Sequence, residues 1–259
     1  MLSMRGQDIA SVGRVGFVRS ALDRDDPMKR SLDIDMSVQP NDFTCGPTCL
    51  HSIYRYYGDD ISLDDVISGV TTLEDGGAIA SHLAIHALKK GYKSVIYSYN
   101  MQVFDPTWKD LPPEKLSEKL IAQRAAKVDA KLSVATDAYL EFLALGGVVR
   151  FQDLTPALIR KYVKRQIPIL TGLSSTYLYQ AVRERRVDNG DDDIRGYPAG
   201  HFVIIHGYNT AQGTVMVADP FRNNPALMGQ HYEVNLYRLV CAIMLGIVTY
   251  DSNLLIIEP

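Results

Sequence analysis

The sequence predicts an α+β fold with an N-terminal helical lobe and a C-terminal antiparallel sheet. Most of residues 45–145 show helical periodicity, and two apolar strands follow at 201–208 and 214–218 with a short turn between them. Helices that precede strands along the chain are typical of α+β domains. The composition, with 46% hydrophobic residues among 259, is that of a globular protein and excludes collagen, coiled coil and wholesale disorder.

The helical lobe is predicted from end signals as well as from apolar spacing. Its first helix begins around Cys45 and Pro47, because proline is favoured in a first turn, and ends at Gly58. Ser62 caps a second helix over 62–70. The chain then predicts a helix over 78–90, a strand over 93–99 and a long helical stretch over 116–145, which Gly146-Gly147 ends.

The second half of the chain changes character. It predicts a helix over 155–165, a strand over 167–170, a solvated acidic loop over 183–196, the hairpin of 201–208 with 214–218, a helix over 234–243 and a closing strand over 249–257. We expect residues 1–35 to be an N-terminal extension that packs on the main body. Residues 36–259 then form one domain, with a helical insertion at about 106–145.

Charge and cysteine content restrict the function classes. Thirty Asp and Glu against 27 Lys and Arg give a formal net charge of −3, which removes the electrostatic basis for binding nucleic acid by phosphate neutralisation. Three cysteines cannot form a disulfide framework and suggest a reducing compartment. The apolar runs are too short to span a bilayer. We therefore expect a soluble, cytoplasmic protein without nucleic-acid or membrane partners; the oligomeric state stays open.

Cys45 is the residue that most needs a chemical explanation. It lies at a predicted helix N-terminus, where unpaired N–H groups and the helix dipole favour a negative charge such as a thiolate. Taken alone, it would be read as a small buried apolar side chain, which is how most free cysteines behave. Gly46 beside it leaves room for a substrate.

His201 and Asp219 turn that interpretation toward catalysis. His201 opens the first strand of the hairpin and Asp219 ends the second, so pairing around the turn brings both to the same end. An imidazole there can serve as base to a cysteine, and a carboxylate can orient the imidazole. Gln39, six residues before Cys45 in extended chain, would donate to an oxyanion together with the Cys45 backbone N–H.

These motifs resemble the papain-like cysteine peptidases of the bacteriocin-processing, double-glycine type. The resemblance is carried by Gln39 before Cys45-Gly46-Pro47, then Gly200-His201-Phe202-Val203, then Asp219-Pro220. It implies a papain-like fold, with Cys45 as nucleophile, His201 as general base and acid, Asp219 as the orienting group and Gln39 as oxyanion donor. The expected function is hydrolysis of a peptide or amide bond through a Cys45 thioester, without cofactor or metal.

Two alternatives to a peptidase stay open. The same scaffold resembles phytochelatin synthase, in which the acyl group passes to an amine, so a transferase is one alternative. A catalytically silent module that binds peptides is the other. Many relatives are fused to a membrane transporter, and since this sequence has no spanning segment or ATPase motif, their leader-peptide substrate is not assumed.

Several further residues are candidates for substrate or metal binding. We expect Gly76, Gly77 and Gly200 to bring backbone close to the substrate cleft. His82 and His86 lie four apart on one predicted helix, but without a third ligand they are read as surface histidines. Tyr177 to Tyr179 are expected to be packing residues, and Cys49 is expected to face the core.

Overall fold

A sheet of eight strands organises the part of the chain that the computed structural model describes, which is residues 28–259 apart from 75, 186 and 226–228. In chain order the strands are β1 (Lys29–Ser31), β2 (Lys93–Ser98), β3 (Val148–Arg150), β4 (Ile169–Ser174), β5 (Gly200–Asn209), β6 (Thr214–Ala218), β7 (His231–Asn235) and β8 (Asn253–Glu258).

Helices precede, interrupt and follow these strands. The α-helices are α1 (Cys45–Tyr56), α2 (Leu63–Gly69), α3 (Ala80–Lys89), α4 (Pro113–Ala126), α5 (Ala130–Ala144), α6 (Pro156–Lys164), α7 (Ser175–Tyr179) and α8 (Leu236–Leu245), with short 3-10 helices at Pro106–Trp108 and Gly246–Thr249. Among the described residues, no helix is both long and apolar enough to cross a membrane.

The strand order across the sheet is β3-β2-β8-β4-β5-β6-β7, and β1 pairs with β5 outside that path. All of these neighbours are antiparallel except β2 and β3, which are parallel. The prediction of an antiparallel sheet is therefore confirmed with one exception. That exception has a physical reason, because the two helices α4 and α5 form the crossover that a parallel pair requires.

The predicted hairpin of 201–208 and 214–218 is confirmed as β5 and β6. Ile204 lies opposite Ala218, and a register shift between Ile205 and Gly207 interrupts the ladder. Every residue of the neighbouring strand β4 is buried, as is typical of a strand covered on both faces. The hairpin is thus anchored in the core along most of its length.

The first predicted helix is confirmed as α1, and it packs on β5. The Cys49 side chain is fully buried and its Sγ lies 3.3 Å from the carbonyl oxygen of Phe202. Gly46 lies so close to Leu83 and Phe202 that a Cβ atom would come within 3.1 and 3.3 Å of them. This close approach holds the N-terminus of α1 beside the start of β5.

The long helical stretch predicted over 116–145 is two helices, α4 and α5. Lys127 adopts an extended conformation at the end of α4, and the Asp129 side chain accepts a hydrogen bond from Leu132 N at the start of α5. Aspartate is a favoured N-cap residue, so a new helix starts there. That residues 106–145 are an insertion stays a prediction.

The expected N-terminal extension, residues 1–35, lies mostly outside the described residues. Its last part is described: β1 pairs with β5, and Leu32 and Ile34 are buried. These residues therefore contribute a strand and core side chains. The domain boundary at 35 and 36 remains a prediction.

Candidate active site

Cys45 is the first residue of α1 and is half-buried. Thr44 precedes the helix as N-cap, but its side chain does not cap the helix. The Thr44 hydroxyl instead donates to the carbonyl oxygen of Asn41. The first N–H groups of α1 are thus left without a side-chain acceptor at the place where helix geometry and dipole favour an anion.

His201 is the second residue of β5 and is buried, with Nε2 2.8 Å from Oδ1 of Asp219. The Cys45 side chain lies close enough to this ring to influence its charge state. Burial would lower the pKa of His201, but the charges of Asp219 and then Cys45 outweigh burial and raise it to about 10. The raised pKa favours the imidazolium form of His201, with Nε2–H directed to Asp219.

Asp219 follows β6 and has no solvent-exposed surface. Four donors satisfy its carboxylate. Oδ1 accepts from His201 Nε2 and from Phe221 N, both at 2.8 Å, and Oδ2 accepts from the hydroxyls of Tyr179 and Tyr232, both at 2.7 Å. Burial favours the neutral acid, but His201 and the two tyrosines outweigh it and lower the pKa of Asp219. The buried group is therefore a carboxylate.

Gln39 lies beside the end of β6, because its backbone N–H donates to the carbonyl oxygen of Pro220 at 3.0 Å. Its side-chain Nε2 donates to the carbonyl oxygen of Asn41 at 2.9 Å. The buried Oε1 has no hydrogen-bond partner among the described residues. The amide nitrogen carries a second hydrogen, so one bond to Asn41 does not exhaust its donor capacity.

The glycines predicted to bind substrate lie in two different settings. Gly76 has a φ of +93°, and a Cβ there would lie 3.1 Å from the ring of Phe43, which is two residues before Cys45. Gly77 closes the same turn by accepting a hydrogen bond from Leu73 N at 2.6 Å. This glycine turn therefore adjoins the segment that leads into Cys45.

Gly200 precedes His201 and packs tightly against the turn before β8. A Cβ at Gly200 would collide with the Asp251 carboxylate and lie 2.9 Å from Thr249 Oγ1. Packing alone therefore disfavours a side chain at this position. Substrate binding by Gly76, Gly77 and Gly200 stays a prediction.

The acidic loop over 183–196 lies beside the segment that leads into Cys45. Glu184 and Tyr197 exchange two backbone hydrogen bonds, of 3.1 and 2.8 Å, and Asn189 Nδ2 lies 3.5 Å from Asp42 Oδ2. Burial, with the charges of Asp42 and Asp191, raises the pKa of Glu184. The loop is therefore folded on itself and borders the Cys45 region.

The prediction of surface histidines at 82 and 86 is wrong. His82 is buried, and its ring bonds to the backbone of Thr71. His86 is partly buried, and its Nδ1 lies 2.8 Å from the hydroxyl of Tyr54. Neither ring faces solvent alone, because the segments that carry Thr71 and Tyr54 pack on this side of α3. Within the described ranges, no three or more His, Cys, Asp or Glu side chains are grouped to hold a metal.

Tyr179 and Tyr232 are the contacts of Asp219 that the sequence analysis missed. Tyr179 was predicted to be packing only. No element was predicted at Tyr232, and the helix predicted from Val234 begins only at Leu236, because β7 continues to Asn235. The signal that was available is chemical, since a buried carboxylate needs several donors and tyrosine is the donor most easily accommodated in an apolar interior. Which tyrosines would supply them depends on strand register.

The class of protein follows from a family model. The model of the Peptidase_C39 like family matches residues 31–239. The chain therefore belongs to this family, and it is a cysteine peptidase-like hydrolase with the papain-like α+β fold that its motifs predicted.

Two solved structures are similar to this chain. One is a double glycine motif protease from an AMS/PCAT transporter in complex with the leader peptide, at 13% identity and a TM-score of 0.43, covering 89% of this chain and 94% of that one. The other is described as a C39-like peptidase from Bacillus anthracis, at 14% identity and a TM-score of 0.48, covering 89% of this chain and 98% of that one. No curated protein matches the sequence.

Proposed function

We propose that this chain hydrolyses a peptide or amide bond through a thioester on Cys45. His201 acts as general acid and base, Asp219 orients its ring, and Gln39 with the Cys45 backbone N–H binds the oxyanion. The observation that carries this proposal is the contact set at one end of the hairpin. His201 interacts with Cys45 on one side and with a buried carboxylate, 2.8 Å away, on the other.

The charge state of this pair suits a nucleophilic thiol. An imidazolium beside the thiol stabilises the thiolate, and the thiolate is the nucleophile. The N-terminus of α1 adds its dipole, because Thr44 does not cap it. Asp219 keeps His201 protonated and limits rotation of its ring.

The reaction can be written with each proton accounted for. The Cys45 thiolate attacks the carbonyl carbon, and the C–S bond forms as the tetrahedral intermediate gathers charge on oxygen. The C–N bond then breaks while the His201 imidazolium gives its proton to the leaving amine. Water attacks the thioester, His201 takes the water proton, and cleavage of the C–S bond releases the acid and restores thiolate and imidazolium.

Gln39 is the proposed side-chain donor to the oxyanion. Its Nε2–H to the Asn41 carbonyl fixes the amide, and the second hydrogen of that nitrogen is available. Donors held in place before the reaction stabilise the developing charge without reorganisation, and removal of one such donor costs about 100- to 1,000-fold in kcat. We expect Gln39→Ala to lower kcat within that range.

We also propose that residues 36–259, together with the strand β1 that pairs with β5, act as one catalytic domain in a reducing, cytoplasmic setting, with 106–145 as an insertion. Support for the compartment comes from Cys45, Cys49 and Cys241, which are all unpaired. A nucleophilic thiol needs to stay reduced, and cytoplasmic thiols do.

The test compares the three cysteines of one molecule. Iodoacetamide should alkylate Cys45 faster than Cys241, which is exposed and serves as an internal reference, while buried Cys49 reacts least. Cys45→Ala should abolish cleavage of a mixed peptide library and keep the melting temperature, whereas Cys241→Ala should retain full activity. Full activity in Cys45→Ala would end the proposal. Adding amine acceptors to the same assay separates hydrolysis from acyl transfer, because transfer gives a conjugate visible by mass spectrometry.

A further inference from the structure

Two tyrosine hydroxyls hold the Asp219 oxygen that faces away from His201. Tyr179 Oη and Tyr232 Oη each lie 2.7 Å from Oδ2, while Oδ1 is 2.8 Å from His201 Nε2. We propose that Tyr179 and Tyr232 are positioning residues that fix the Asp219 carboxylate and, through it, the His201 ring. This inference rests on the proposed function, because the two tyrosines hold residues of the same proposed active site.

The two tyrosines approach from separate elements that are each well anchored. Tyr232 lies on β7 opposite Val217 of β6, two residues before Asp219. Residues two apart on a strand share a face, as do directly paired residues, so Tyr232 and Asp219 lie on the same side of the sheet.

Tyr179 is the last residue of the short helix α7. The Ser174 side chain caps this helix by accepting from Tyr177 N, and Gln180 ends it in the left-handed conformation with a φ of +54°. The backbone at both ends of α7 is thus specified by local structure. The Tyr179 hydroxyl is therefore directed at Asp219 by a fixed element.

Bulk water does not compete with these hydroxyls for Asp219, because Asp219 has no exposed surface. Burial and the Asp219 charge raise the pKa of Tyr179 and of Tyr232, so both hydroxyls keep their protons and donate throughout the range in which an enzyme works. Their hydrogen bonds in turn contribute to lowering the pKa of Asp219. Loss of a donor to a buried carboxylate leaves a lone pair unsatisfied, which is expensive.

Substitution of each tyrosine by phenylalanine separates the role of the hydroxyl from the role of the ring. The Tyr179 ring lies 6.1 Å from that of His201 and 6.4 Å from that of Phe221, centroid to centroid, so it also forms part of the wall around the imidazole. Tyr179→Phe keeps this wall and removes only the donor. Tyr232→Phe does the same on the other side, and each single variant leaves three of the four donors in place.

The experiment measures the rate of Cys45 alkylation by iodoacetamide against pH in the full chain, with Cys241 as the internal reference. The variants are Tyr179→Phe, Tyr232→Phe and the double variant. The matched controls are Tyr177→Phe, on the same helix α7, and Tyr237→Phe, on α8, because both of these tyrosines are exposed. Melting temperatures are recorded for all of them.

Each single substitution should slow alkylation at neutral pH by about three- to tenfold, and the double substitution by at least about tenfold. The acid limb of the profile should move to higher pH, because Asp219 with fewer donors holds its proton to higher pH and then no longer supports the imidazolium. Both controls should follow the wild type.

An unchanged acid limb in the double variant would overturn the positioning role, even if its melting temperature falls, because a packing role changes stability without moving a titration. If Cys45 of the wild type reacts no faster than Cys241, the proposed function itself is wrong and this inference fails with it. The two failures are therefore distinguishable in one data set.

Discussion

Oδ1 of Asp219 lies 2.8 Å from Nε2 of His201, although 17 residues separate the two along the chain. The β5–β6 register, with Ile204 opposite Ala218, brings both to one end of the hairpin. Because the strands on both sides of this hairpin are paired as well, the relationship is held by the sheet rather than by a loop.

Replacement of Asp219 by asparagine should move the alkaline limb of the pH profile. The negative charge of Asp219 raises the pKa of His201, so Asp219→Asn should bring the loss of imidazolium to lower pH. The hydrogen bond from His201 also loses its charged acceptor, which corresponds to at most about a 10- to 150-fold decrease in kcat/KM. The measurement is kcat/KM from pH 5 to 10. An alkaline limb that coincides with that of the wild type would show that Asp219 does not control His201.

Gly76 and Gly91 form a matched pair for testing whether the glycine turn borders the substrate. Their φ values are +93° and +94°, so alanine meets the same backbone strain at both, about 1–2 kcal/mol. A Cβ at Gly76 meets Phe43 at 3.1 Å, whereas a Cβ at Gly91 meets open space.

Gly76→Ala should lose at least as much stability as Gly91→Ala in urea unfolding, and only Gly76→Ala should lower kcat/KM of the folded enzyme. The reason is that Phe43 and Cys45 share one short segment, so displacement of the Phe43 ring changes the approach to the thiol. Equal kcat/KM for the two variants would place the glycine turn outside the substrate path.

Gly200→Ala tests whether this glycine is required by packing. Its Cβ would collide with Asp251 and press on Thr249, and overpacking of this kind destabilises by about 1–3 kcal/mol. Urea unfolding should show a loss in that range. If stability is unchanged and KM rises, Gly200 contacts substrate instead, as the sequence predicted.

The hairpin and the three residues Cys45, His201 and Asp219 could be predicted because local signals mark each of them. Pro47 marks the start of α1, and a short polar turn separates two apolar strands. Pairing of these strands then brings His201 and Asp219 together. For His201 and Asp219 these short-range features are sufficient. The approach of Cys45 to His201 also requires that α1 packs on β5, and it was predicted through the family resemblance.

Elements without local periodicity could not be predicted. The strands β1 and β3 have three residues each, too few to display an alternation. They form because the longer strands β5 and β2 provide backbone hydrogen-bond partners for them. The tyrosine contacts of Asp219 could not be predicted for a related reason. Tyr232 meets Asp219 only through the β6–β7 register, and Tyr179 only through the position of α7, which tertiary packing decides.

The His201–Asp219 pair should also make folding stability depend on pH in a defined direction. The pKa of His201 is raised to about 10 in the folded protein and lies near 6.5 in an unfolded chain. A raised pKa stabilises the fold fully below about pH 6.5, and this stabilisation is lost as pH rises toward the folded value. For Asp219 the pKa is lowered, so its contribution is present above its unfolded value, near 3.9, and is lost as pH falls.

The measurement uses a Cys45→Ala background, so that Asp219 is the charge that remains to raise the pKa of His201. The free energy of unfolding in urea is compared between Cys45→Ala and Cys45→Ala/His201→Gln at pH 6, 8 and 10. The difference between the two should be largest at pH 6 and should shrink toward pH 10, because the imidazolium that Asp219 stabilises disappears over this range. A difference that stays constant from pH 6 to 10 would mean that Asp219 does not raise the pKa of His201.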